Sequence, residues 1–184
     1  SVGAVSSYTF ENVRERHTIR AVFTARIEDP DTPLTDVPFT DVPADAWYAQ
    51  PVQWAVENGI HLIRMEKDAA EGIMMIRKSN QQQYGTVHGG MLVAFADTIA
   101  GHSLVPHGRV CVTQGSTVNF LRPAAGAYLF CRATPVQVGG RICVVSVEQR
   151  NDRDELITTA LFTFAVVKKM DPISLPPKHP GLPF

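Results

Sequence analysis

A chain of 184 residues, 45% of them hydrophobic, is long enough to fill one core and still carry extensions. Its formal net charge of -1, with no basic run, gives nucleic acid no electrostatic footing and directs attention to small molecules. No apolar run reaches bilayer-spanning length, and the opening SVGAVSSYTF lacks the basic and hydrophobic regions of a secretory leader, so no membrane partner and a cytoplasmic location are expected. Cys111, Cys131 and Cys143 are odd in number, lie in apolar runs and form no CxxC pair, which reads as reduced core cysteines.

In chain order, residues 18–27 alternate apolar and polar side chains as a half-exposed strand does. A proline-rich connector, 29–43, follows. Within 39–60, Asp45 is a plausible N-cap and Asn58-Gly59 a helix stop, which predicts a short amphipathic helix packing on the main domain. Two short strands, 61–67 and 72–78, flank the turn Asp68-Ala69-Ala70-Glu71 and are expected to lead straight into a helix.

That helix and the turn before it, Gln82 to Ser103, organise the chain. Met91, Leu92, Val93, Ala94, Phe95, Ala96, Ile99 and Ala100 leave no polar stripe, so other structure is expected to enclose the helix on every side. Asp97 is its single carboxylate, and a buried carboxylate marks either a structural network or a site of chemistry. Gly89 and Gly90, without side chains, let a ligand approach the first-turn N–H groups, which suit a developing oxyanion. Eight residues of helix between Gly89 and Asp97 amount to a rise of roughly 12 Å. One carbonyl cannot touch both within one chain, which suggests a dimer with sites at its interface.

After the helix come four strand-like runs, 110–121, 127–138, 141–150 and 156–168, joined by RPAAG, Gly139-Gly140 and NDRD turns. Short joints favour an antiparallel meander, so the fold class is α+β, a sheet wrapped around one helix. The expected organisation is an extension over 1–44, a main domain over 45–169 and a proline-rich tail over 170–184.

The segments GTVHGGMLVAFADTIAG, VTQGSTVNFLRPAAG and GGRICVVSVEQRNDRDELITTALFTF, in that order, resemble the hotdog-fold acyl-CoA thioesterases of the phenylacetate-pathway type over about residues 60–167. The resemblance implies a homodimer with its active sites at the interface, dimers that pair into tetramers, and hydrolysis of an acyl-CoA, aryl or alkyl, to free acid and CoA without cofactor or metal. It implies that Asp97 activates water or attacks the thioester, and that the Gly89 N–H polarises its carbonyl. Gln82 would orient substrate or water, and Thr113 would lie near the carboxylate of the facing subunit. Desolvation among Leu92, Phe95 and Ile99 would raise the basicity of Asp97. His88 joins the catalytic candidates, with capping of the turn through backbone bonds as its expected role. Gly90, Met91, Phe95 and Arg122 are the candidate substrate contacts, Arg122 for phosphate charge. His88, His102 and His107 have no zinc-ligand spacing.

Two other classes use such residues: a hotdog hydratase or dehydratase, whose Pro-Gly-His or Asp/His patterns are not evident here, and a non-catalytic acyl-CoA-binding or scaffolding protein. The stretch FTDVPADAWYAQPVQWAVENGI also resembles the opening half of an S-layer homology repeat, without that module's second half.

Overall fold

The computed structural model describes Ala55 and residues 57–174. The strand expected at 18–27, the connector 29–43, most of the helix within 39–60 and tail residues 175–184 lie outside them. Ala55 and Glu57 are helical and Asn58-Gly59 form a turn, as the stop signal predicts.

Among the described residues, six strands form one antiparallel sheet: β1 (Ile60–Met65), β2 (Ala70–Met75), β3 (Arg109–Phe120), β4 (Tyr128–Val138), β5 (Ile142–Asn151) and β6 (Leu156–Lys169), in the spatial order β1-β2-β4-β5-β6-β3. The first turn falls two residues earlier than expected. Ala70 and Glu71 pair with Ala133 and Arg132 on β4, and Arg64 is clamped between Glu66 and Asp68, so the chain reverses at 66–69. The bond from Arg64 also holds the Asp68 carboxyl below its ordinary range.

The expected meander holds for β4, β5 and β6 but not for β3, which pairs with β6 at the far edge. Turn chemistry identifies a hairpin without excluding a crossing. The link 121–127 extends up to roughly 23 Å, against about 14 Å for three strand spacings, so it crosses β5 and β6 with slack. It is held on the way by Leu121 N–H to Ile157 C=O at 2.8 Å and by Ile76 N–H to Ala127 C=O at 3.0 Å. The loop between β4 and β5 takes three residues rather than two, because β5 begins only at Ile142.

The helix α1 (Gly89–His102) lies on the sheet with its N-terminus beside Phe120 and its middle beside Thr113, so it runs antiparallel to β3. Leu92, Phe95, Ala96, Ile99 and Ala100 recur at helical spacing and are buried against Met74, Leu129, Val145, Val147 and Phe162. Burying the three large side chains Leu92, Phe95 and Ile99 contributes on the order of 5–9 kcal/mol. Gly72 on β2 sits directly beneath Ile99, whose Cγ1 is 3.0 Å from where a Cβ on Gly72 would be, so the helix approaches the sheet over bare backbone.

The expectation of a fully wrapped helix is corrected. Val93, Ala94, Asp97, Thr98 and Gly101 are only partly covered, because a single sheet reaches one face of a cylinder. Asp97 is therefore half-buried within the single chain, on the helix face that the sheet does not reach.

Candidate active site

The helix is not entered directly from β2. Between them, Lys78–Asn80 forms a 3-10 turn knotted by Asn80, which is 1% exposed. The Asn80 side chain accepts from Arg77 N–H at 2.9 Å and donates to Met75 C=O at 2.8 Å, while its backbone carbonyl accepts from His88 N–H at 2.9 Å. Beyond it, Gln82 N–H bonds to Thr86 C=O at 2.8 Å and Gly85 supplies the left-handed backbone of the turn at φ 77°. Gln82 Nε2 donates to Thr86 Oγ1 at 2.9 Å, which orients its amide although the residue is exposed.

His88 is the N-cap of α1. Its Nδ1 accepts from Gly90 N–H at 2.9 Å, and its carbonyl accepts from Met91 at 2.9 Å and Leu92 at 3.2 Å. The ring therefore carries its proton on Nε2, and the orienting role expected of His88 matches its place. With those donors occupied, Gly89 N–H is the first-turn donor with no partner among the described residues.

That N–H lies at a groove of about 480 Å³ lined by Gln82, Tyr84, Val87, Gly89, Leu92, Phe120, Leu121 and Arg122 among others. Phe120 lies on the wall, its Cζ 3.6 Å from where a Cβ on Gly89 would stand. Tyr84 is 78% exposed and Phe120 54%, an open apolar surface of the kind that ligand grooves present. Arg122 Nη1 donates to Leu156 C=O at 2.8 Å, and the guanidinium pairs with no carboxylate among the described residues.

Asp97 stands apart from this groove. Thr113 Oγ1 donates to Asp97 Oδ1 at 2.7 Å, while Oδ2 has no hydrogen-bond partner among the described residues. The expectation that Thr113 meets the facing subunit's carboxylate is corrected to this extent: it holds the carboxylate of its own chain, because β3 runs alongside α1. Phe95, expected among the substrate contacts, is fully buried on the sheet side and belongs to the core. Met91 is half-buried against that core, and Gly90 is exposed.

The remaining candidates are engaged elsewhere. His102 Nδ1 lies 2.7 Å from Thr98 C=O and His107 Nε2 2.9 Å from Lys67 C=O. Burial raises the thiols of Cys131 and, with help from neighbouring Cys143, of Cys111, the latter to about 11, which makes both poor nucleophiles. Asn80, Tyr84 and Phe120 carry no signal in the sequence: a polar residue eight positions before the helix cap and two exposed aromatics read as ordinary loop and strand residues.

A family model described as the Thioesterase superfamily matches residues 84–158. The acyl-coenzyme A thioesterase PaaI of Escherichia coli (strain K12) is 30% identical over 105 residues, 56% of this chain and 74% of that protein. This chain belongs to the Thioesterase superfamily. Its fold is that of the hotdog thioesterases. A thioesterase from Haemophilus influenzae superposes with a TM-score of 0.59 at 27% identity, covering 62% of this chain and 82% of the other. A hypothetical thioesterase from Streptococcus pneumoniae TIGR4, solved with coenzyme A, gives 0.59 at 25% identity over 61% and 88%. As a member of that superfamily, the protein is a thioester hydrolase. Among its described residues, no helix is long and apolar enough to cross a membrane.

Proposed function

We propose that this thioesterase hydrolyses an acyl-CoA to the free acid and CoA at a centre built by two chains. The observation that carries the reading is a division of labour along α1: an unpartnered Gly89 N–H at its start, and a Thr113-held Asp97 roughly 12 Å further on. An antiparallel second copy would bring each half to the other's complement. Two surfaces support such a homodimer. The helix face bearing Val93, Ala94, Asp97 and Gly101 is only partly covered, and among the described residues no strand pairs with the outer side of the twelve-residue β3, on which Val112 is 52% exposed.

In this reading the thioester carbonyl oxygen accepts from Gly89 N–H, and the Asp97 of the second chain takes a proton from an attacking water. The oxygen of that water bonds to the carbonyl carbon, the C–S bond breaks, and the departing thiolate receives the proton. A half-exposed carboxylate admits the water, and Thr113 occupies one of its oxygens and leaves the other for the proton. Gln82, fixed by Thr86, stands at the groove to orient substrate or water. The remaining guanidinium edge of Arg122 suits CoA phosphate, a ligand supported by the CoA complex of the pneumococcal relative.

The test is a panel of aryl- and alkyl-CoA thioesters with a thiol-detecting reagent. Thiol release abolished by Asp97→Ala supports hydrolysis, whereas tight CoA-thioester binding without turnover by the unmodified protein overturns it. Mixing inactive Asp97→Ala chains with inactive Gly89→Pro chains tests the shared centre. Exchange of subunits should restore about a quarter of the unmodified activity, since half the dimers then hold one intact site. No recovery from demonstrated mixed dimers refutes the arrangement.

A further inference from the structure

The geometry points to Gln149 as a positioning residue that pins the first turn of α1, and with it Gly89 N–H, to a fixed place on the sheet. The inference rests on the proposed role of Gly89. Gln149 lies near the C-terminal end of β5 and is fully buried. Its Nε2 donates to Leu92 C=O at 2.9 Å, and its Oε1 accepts from the buried Thr158 Oγ1. These residues belong to one lateral row across the sheet: Gly72, Cys131, Gln149, Thr158 and Phe120 face one another in register on β2, β4, β5, β6 and β3. The row passes beneath the helix and ends in the ring that flanks Gly89.

An amide in such a place is costly, and a methionine of similar volume would fill the same space. Nor does Leu92 C=O need it, because an interior helix carbonyl already has its partner four residues on. What the bond adds is direction. Apolar contacts under Leu92, Phe95 and Ile99 hold the helix against the sheet but resist sliding only weakly, being non-directional. A hydrogen bond from β5 to Leu92, one turn after Gly89, fixes the helix along its own axis. Thr158 in turn fixes the amide, so Nε2 rather than Oε1 meets the carbonyl. Where a misplacement of about 1 Å costs on the order of 100-fold in rate, such a tether acts on turnover.

The experiment compares the unmodified chain with Gln149→Met and with Gln149→Met/Thr158→Val. The double variant removes both hydrogen-bonding partners together and leaves no orphan hydroxyl, so its stability should stay near that of the unmodified chain. With benzoyl-CoA and hexanoyl-CoA as probes, kcat should fall roughly 10- to 100-fold while KM stays within about 2-fold. The melting temperature of the double variant should stay within about 3 °C. Amide hydrogen exchange across Gly89–Leu92 should quicken in both variants. A double variant that melts normally and keeps kcat within about 3-fold overturns the inference. So does a loss of kcat that appears only alongside a fall of more than about 10 °C in melting, the mark of a purely structural residue. If the unmodified protein cleaves neither probe, the proposed function fails for those substrates and the exchange arm decides the tether: quickened exchange supports it, and unchanged exchange refutes it.

Discussion

Gly89→Pro removes the N–H of residue 89 while leaving the backbone of the turn in place. Position 89 is the first residue of α1, where proline is at home because its missing N–H is an orphan in any helix. His88 before it, at φ -63° and ψ 135°, already has the extended backbone that a following proline demands. A Cβ at 89 would stand 3.6 Å from Phe120 Cζ, an ordinary contact, and the N–H has no bond to lose among the described residues. Folding stability should therefore hold, or rise by about 0.4–1 kcal/mol through a stiffer unfolded chain, a shift of a few degrees in melting. Turnover should not hold. One oxyanion donor accounts for about 100- to 1,000-fold in kcat, or about 2.7–4 kcal/mol. Gly89→Ala, which keeps the N–H and adds the same Cβ, is the control and should stay within about 5-fold. The assay is thiol release from the preferred CoA thioester beside a thermal melt of each variant. A Gly89→Pro protein with unchanged kcat, or a Gly89→Ala protein as inactive as the proline, refutes the reasoning.

Thr113→Val removes the donor to Asp97 while keeping a β-branched residue on β3; kcat should drop by about 10-fold, the order of one hydrogen bond to a charged group, and Thr113→Ser should recover it. Arg122→Gln should raise KM for a CoA thioester by about 3- to 10-fold and leave a pantetheine thioester, which lacks the nucleotide phosphates, unaffected; equal effects on both would remove Arg122 from phosphate binding. Burial should protect all three thiols of the folded chain: at pH 8 a group with pKa about 11 is only about 0.1% thiolate, so Cys111 should react over hours and all three promptly after denaturation. Rapid labelling of the native protein would contradict that packing.

Much of this architecture can be read from residue order. Alternation in β4, β5 and β6, with Gly139-Gly140 at one joint and the NDRD turn at the other, specifies hairpins, and the apolar run from Met91 to Ala100 specifies a helix that needs cover. What remains hidden has a common physical cause: it depends on groups far apart in the chain. The far-edge position of β3 follows from how a seven-residue link spends its slack. The partial exposure of Asp97 within one chain follows from which helix face the sheet reaches. The place of Phe95 in the core follows from the same phase of the helix, one hundred degrees per residue, that turns Asp97 outward. Asn80 and Gln149 read as ordinary polar residues in their local context, and only the fold reveals that both are buried and bonded. Conversely, helical rise alone keeps Gly89 and Asp97 of one chain from sharing a carbonyl, and both residues lie on α1, eight positions apart.

The seat of Ile99 over Gly72 has an evolutionary corollary. Neither position can drift alone: a methyl group gained at 72 would collide with the branched side chain above it, while a trimmed side chain at 99 would leave a hollow that bare backbone cannot fill. Lineages that carry alanine at the first position should therefore carry a smaller residue at the second, and the two mutations, each harmful singly, should be close to harmless as a pair.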